Sequence, residues 1–477
     1  FVLAISWTAF SAGNDPERQF AERVSERQLL QRVRALVAIG NRMGGTVSGD
    51  SAAAYVFRAF QRFGVEPELI VEPPKMTFTN ERWTLEVVQP RRLRNVFRHE
   101  WLAGFSPSVE STEGAVAFFG PGESLEETDL LGKVVLSPLD PEGEFAELMA
   151  EAGAKAILSY FPDLPGKYAD WAMITNLPAS AENRIPVFNI SRGNGETLRR
   201  EVESGTEVTV RFASSTTIER RRPRTVLATI QGELAGYYLV CAHGDSDSGG
   251  PGADDNASGV SAVLELARVL QGMINDGVLP RPKYSVRFAV WGSEYFSTAQ
   301  YVFRNEDRLE DILGVLNYDE IGTGATRNAL YFESNDVPHN ASLLRTLEKV
   351  GEDFAGRKGF WEESTTNPSQ GGTDSYVFLP DYLSRLRVRE VEIPSVTIYT
   401  AAWNEIRTLP QTPGWTSSAW KGHPDSVTID YSEYYHSSLD TPGRTTEREP
   451  WNMTGAVKAV GIALLRMAWD IPPRKAP

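Results

Sequence analysis

The sequence predicts an α/β chain: a three-layer sandwich around a central mixed, mainly parallel sheet, with a second, small β-rich domain inserted over residues 101–222. Three observations predict it. After Thr225, short apolar, β-branched runs alternate with helical stretches, the pattern of strands buried on both faces and joined by helices. Between about Glu100 and Arg222 the texture is instead short strands and turns. The 477 residues, 41% hydrophobic and 10% aromatic, suffice for two or three domains with a large core.

From Phe20 through Val24, Leu29, Val33, Leu36 and Val37, apolar residues recur every three to four positions, which predicts one face of an amphipathic helix. Arg42 to Asp50 interrupts it with three glycines. A second helix is expected from Ala52 to Phe63, closed by Gly64 as a C-cap residue. The insert should hold strands at Gly114–Gly120, Gly132–Leu136, Ala154–Leu158 and Ile185–Ile190. It contains no histidine, so it is expected to shape the substrate site rather than perform chemistry. Residues 1–100 and 223–477 form the main domain, with strands at Tyr237–Ala242, Ser285–Trp291, Gly314–Tyr318 and Pro394–Tyr399. The helix after Asn256 carries Val260, Val263, Leu264, Ala267 and Leu270 on one stripe.

The formal charge of −15 argues against nucleic acid or an anionic membrane as partner, since both repel an acidic surface. The basic run within Glu219–Arg222 reads as a solvated linker. Cys241 is the sole cysteine, which excludes an internal disulfide and an all-cysteine metal site. Its strand setting predicts a buried, inert thiol. Phe1–Trp7 is apolar but too short to span a bilayer, and reads as a trimmed signal or a strand. No later segment is apolar for 18 residues, so a soluble chain without a membrane span is expected.

Ligands of open α/β sheets bind beyond the carboxyl ends of the strands. There the sequence places His243-Gly244-Asp245, then Asp254-Asp255-Asn256 at a helix start, Glu294 after Trp291, Asp319-Glu320 after Tyr318, and a late Tyr435-His436. Imidazole and carboxylate ligands of this kind suit zinc. A bridging carboxylate lets two ions sit roughly 3.5–4 Å apart, and a glutamate is still needed to move protons, for which Glu294 is the candidate. A lone histidine is more often structural than a ligand. Two of the five here fall in acidic, glycine-rich strand-end motifs, which reverses that reading, whereas His99, His339 and His423 lack such surroundings.

His243-Gly244-Asp245-Ser246 with Pro251-Gly252-Ala253-Asp254-Asp255-Asn256-Ala257-Ser258-Gly259 resembles the signature of the zinc exopeptidases that include bacterial leucyl-type aminopeptidases, glutamate carboxypeptidase and glutaminyl cyclases. The resemblance extends to Trp291–Glu294, Asn317–Gly322 and Tyr435–Ser437, and the insert resembles the protease-associated domain many members carry. It implies a zinc-dependent hydrolase of peptide or small amide substrates. Asp255 would be the bridging carboxylate, His243 and Asp319 would complete one metal site, and His436 would belong to a second. Asp245 would hold His243 in its tautomer, and Tyr435 would donate to the oxyanion, the alternative for Tyr435 being a packed aromatic.

One departure matters. The family usually has two adjacent glutamates, base then metal ligand, where this chain has Glu294-Tyr295. Aligned without a gap, Glu294 is the base and the second metal loses its carboxylate. With a one-residue gap, Glu294 is the ligand and the base is missing. The ungapped alignment is preferred because Trp291-Gly292-Ser293-Glu294 then matches. Tyr295 either lines the pocket or ligates as a phenolate, which suits iron better than zinc. The expectation is therefore one firmly bound zinc with the second open, and iron or copper if Tyr295 is a ligand. Three other readings stand beside hydrolysis: single-metal acyl transfer as in glutaminyl cyclases, a tyrosinate–metal enzyme, and an inactive receptor-like relative. Gly371–Ser375 and the loop from about Ala401 to Tyr431, with Trp403, Trp415 and Trp420, are expected to shape the pocket. The resemblance leans toward a secreted or periplasmic setting, and oligomeric state is not read from sequence.

Overall fold

A computed structural model describes residues 15–162, 168–246, 249–323, 329–334, 337–367, 373–400 and 434–473. An eight-stranded sheet runs in the order β1 (Pro67–Val71), β9 (Arg224–Ile230), β11 (Tyr284–Trp291), β10 (Leu234–His243), β12 (Ile312–Tyr318), β15 (Ser395–Tyr399), β13 (Ala329–Glu333), β14 (Glu363–Asn367). Its centre is parallel: β11, β10, β12 and β15 share one direction. The sheet is mixed because β9 and β1 are antiparallel on one side and β13 runs against β15 on the other.

Alternation along the central strands explains the layers, since successive side chains face opposite sides. Val240 and Ala242 of β10 enter one core, packed under α1 (Pro16–Arg23), α2 (Glu26–Val37), α3 (Val47–Phe63), α6 (Gly259–Asn275), α8 (Ala341–Phe354) and α10 (Trp451–Ala468). Leu239 and Cys241 enter the other, beneath α7 (Phe296–Arg304) and α9 (Pro380–Leu386). Cys241 is fully buried, as its flanks predict. A segment from Ala253 to Asn275 is long and apolar enough by composition to cross a membrane, but 78% of its most apolar window is buried inside the fold.

The apolar stripe from Phe20 to Val37 is two helices, not one. Val24 is extended, and Ser25 caps α2 through its side chain, while the Ser25 amide donates to Glu265. A serine that satisfies the start of a new helix competes with continuation of the old one. The second predicted helix begins earlier than Ala52, at Val47, capped by Thr46, and ends at Gly64 with φ 77°.

The second sheet has seven strands: β2 (Lys75–Gln89), β8 (Thr209–Arg221), β4 (Val109–Phe118), β5 (Val134–Ser137), β6 (Ala156–Ser159), β7 (Val187–Asn189), β3 (Trp101–Leu102). Strands β4 to β7 fall on the predicted runs. The long β2 pairs with β8 from Lys75 to Gln89, so this sheet draws on residues ahead of position 101. Helices α4 (Phe145–Glu151) and α5 (Arg192–Glu203) accompany it. Alternation again separates two cores, Val135 and Ile157 facing one and Leu136 and Leu158 the other.

Candidate metal centre

The parallel strands end together, and their ends carry the polar residues. His243 closes β10, Asp319 follows β12, Glu294 follows β11, and Asp255 lies in the turn that opens α6. Of these, His243, Asp255 and Asp319 bring one donor atom each to within 4.8 Å of one another, all three buried. His243 Nε2 lies 3.2 Å from Asp255 Oδ1 and 3.4 Å from Asp319 Oδ1. His436 comes from the loop after position 433, and its Nε2 lies 3.0 Å from Asp255 Oδ2. One carboxylate thus faces two imidazoles, one through each oxygen.

The other face of His243 is fixed. Nδ1 lies 3.1 Å from the Asp245 carbonyl and 3.2 Å from Asp245 Oδ1, which leaves Nε2 turned toward the two aspartates. The same Asp245 carboxylate accepts the Glu294 amide at 3.1 Å. The Asp255 backbone is set by Asp440, whose two oxygens accept the amides of Asp254 and Asp255 at 2.8 and 3.1 Å.

The electrostatics are those of a site short of positive charge. Burial alone would lower the His243 imidazole, yet Glu294, Asp319, Asp245 and Asp255 outweigh it and hold it well above the ordinary histidine range. Burial would raise Asp255, and hydrogen bonds from His243 and His436 outweigh it and hold that carboxylate below its usual range. Among the described residues, buried Asp319 Oδ1 has no hydrogen-bond partner, and its sister oxygen accepts from Thr373. An unsatisfied buried carboxylate oxygen beside an imidazole nitrogen and a second carboxylate fits a divalent cation of the kind that takes mixed nitrogen and oxygen ligands.

Residues 225–460 match the model of peptidase family M28. This segment is a family M28 domain. Among curated proteins, a probable lipoprotein aminopeptidase of Mycobacterium tuberculosis is 34% identical over 222 residues, covering 44% of this chain and 41% of that protein. An aminopeptidase of Bacillus subtilis is 28% identical over 245 residues, covering 49% and 47%. The alignments thus span less than half the length of these curated relatives. Over nearly the whole chain the fold is shared with solved structures: an M28 peptidase precursor of Shewanella amazonensis (TM-score 0.65, 17% identity, 97% of this chain and 98% of that one) and an aminopeptidase of Aneurinibacillus (TM-score 0.59, 19% identity, 97% and 99%).

Within the M28 domain, Tyr295 takes a place that the sequence left between ligand and pocket wall. Its ring stacks on Tyr382, centroids 6.5 Å apart, and packs against the core beneath α7 and α9. Its amide donates to Asp374 at 2.9 Å. Tyr435 stacks its ring on the neighbouring His436 imidazole, centroids 3.7 Å apart. The tryptophan-bearing loop from Ala401 to Tyr431 and Gly371–Gly372 lie outside the described residues.

The sequence pattern gave no hint of Arg42. This buried guanidinium donates to the carbonyls of Gly244, Pro251 and Gly252 at 3.3, 2.9 and 2.6 Å, tying the His243 strand end to the turn before Asp255. Burial pushes it down to about 10, so it remains a cation at neutral pH. Glu320 directly follows Asp319. It is buried, and burial together with Asp255, Asp254, Asp319 and Asp440 raises its carboxyl well above the usual range.

Proposed function

We propose that this chain is a zinc-dependent aminopeptidase or related exopeptidase that hydrolyses the amide bond of a peptide or small amide. The observation that carries the reading is the Asp255 carboxylate, with His243 at 3.2 Å from one oxygen and His436 at 3.0 Å from the other. That is the disposition a bridging ligand needs. His243, Asp255 and Asp319 would hold one zinc ion, and Asp255 with His436 would face a second. The relatives named as aminopeptidases support the same reading.

Bound there, zinc supplies Lewis acidity for the substrate carbonyl and makes water a stronger nucleophile at neutral pH. Glu294 takes the proton of the attacking water and returns it to the leaving amine. Asp245 keeps both partners in register, through the imidazole of His243 and the amide of Glu294. Tyr435, stacked on His436, would donate to the developing oxyanion. Tyr295 lines the pocket. The seven-stranded unit over residues 75–221 is the inserted, protease-associated type of domain and shapes access to the site.

The test is hydrolysis of leucine p-nitroanilide by the zinc-loaded chain. Glu294→Gln should lower turnover by about 10²-fold or more with the bound zinc unchanged. Turnover within about tenfold of the parent would remove Glu294 from the role of base, and a parent that binds no zinc would overturn the reading as a whole.

A further inference from the structure

We infer that the seven-stranded unit is also a structural half of the metal centre: Trp171 and Ile174 are positioning residues that hold the His436 loop in place. The inference rests on the function proposed above, since it is His436 that it positions.

His436 sits in the left-handed region, with φ 45°, where a residue with a side chain persists only if its surroundings hold it. The surroundings come from across the inter-unit boundary. The Ile174 amide donates to the His436 carbonyl at 2.5 Å. Two residues before His436, the Tyr434 ring packs against Trp171, centroids 4.9 Å apart. On its own side Tyr434 meets the guanidinium groups of Arg444 and Arg448, 5.5 and 5.9 Å from the ring centre.

The same unit presses on the other ligand loop, between His243 and Asp255. A methyl group added at Gly250 would lie 3.0 Å from Ile174 Cδ1 and 3.4 Å from the Ser437 carbonyl oxygen. One added at Gly249 would lie 3.0 Å from Phe78 of β2. Ile174 therefore wedges between the Asp255 loop and the His436 loop, and lines the small cavity that Asp255, His436 and Asp440 share. The far end of the His436 loop has its own anchor, Asp440 on the amides of Asp254 and Asp255. Loss of the wedge should consequently free the segment 434–437 first.

Trp171→Ala and Ile174→Ala, each in the full chain, test this by hydrogen–deuterium exchange and zinc competition titration. Exchange in peptides covering 434–437 should rise by at least about tenfold, with peptides of β10 to β12 unchanged. Retention of the weaker zinc should fall by about 10- to 100-fold, as for other loss of support behind a ligand, and Trp171→Phe should restore both. Exchange at 434–437 equal to the parent's in both variants would overturn the inference whatever the zinc content. Absence of zinc from the parent would instead strike the proposed function, and the exchange would still decide the role of Trp171 and Ile174.

Discussion

Asp245 serves two partners with one carboxylate: it faces Nδ1 of His243 and receives the amide of Glu294. Asp245→Ala should therefore weaken zinc binding by about 10- to 100-fold and slow turnover beyond what zinc saturation restores, because Glu294 shifts too. A zinc titration followed by kinetics at saturating metal separates the two effects, and full recovery of kcat at saturation would show that Glu294 needs no such tie. A second residue, Glu100, lies in the seven-stranded unit. Burial pushes its carboxyl up to about 7 from 4.5, against donors that include Asn194. The folded pKa is the higher one, so the fold favours the proton: the carboxyl costs nothing below pH 4.5, and stability is lost as pH rises toward 7. Glu100→Gln should flatten that dependence by an amount of order 1–3 kcal/mol, read from urea midpoints at pH 5 and pH 8. The ligand candidates were legible because His243, Asp255 and Asp319 each stand in an acidic motif at a strand or helix boundary, and His436 stands in a loop four residues before Asp440. Arg42 and Asp440 were not, because their partners are backbone carbonyls and amides, which no side-chain pattern records.

At the scale of elements, α2 and α6 are joined by a buried charge cluster. Glu265 of α6 is fully buried, 2.7 Å from Arg32 of α2, and also pairs with Arg268. It further accepts the Ser25 amide at the start of α2. Glu265→Leu strands the buried Arg32 guanidinium and leaves that amide unsatisfied, and should destabilise the fold by about 3–5 kcal/mol. Replacing Arg32 as well, with Leu, should recover much of the loss. A Glu265→Leu urea midpoint matching the parent's would show that the cluster contributes nothing net. This contact also explains why the helical periodicity misled. The stripe from Phe20 to Val37 records which face is buried, and it runs unbroken across Val24 and Ser25, although Val24 is extended and Ser25 caps a new helix, with the Ser25 amide held by a residue 240 positions away.

At the scale of the molecule, the central strands of the larger sheet were legible because each is buried on both faces and leaves an uninterrupted apolar run. Its outer strands β13 and β14 were not, nor was β2, whose Lys75–Gln89 run mixes buried with half-exposed positions. What joins the layers at the strand ends is charge. Asp254, Asp255, Asp319, Glu320 and Asp440 are all buried there, and they crowd one another enough to drive Asp440 up to about 7 as burial and Asp255 act on it. A folded state that gathers carboxylates in this way is weaker without a cation than with one, and the unfolded chain cannot reproduce the geometry that binds it. Metal binding should then appear as stability. At zinc 100-fold above its dissociation constant the gain is about 2.7 kcal/mol, enough to raise the melting temperature by a few degrees for a chain of this size. Chelation should lower the melting temperature, added zinc should restore it, and in Asp319→Asn the response should shrink, because that side chain loses the charge that faces the ion. A melting temperature that ignores both chelator and zinc in the parent would show that these carboxylates are satisfied without a metal.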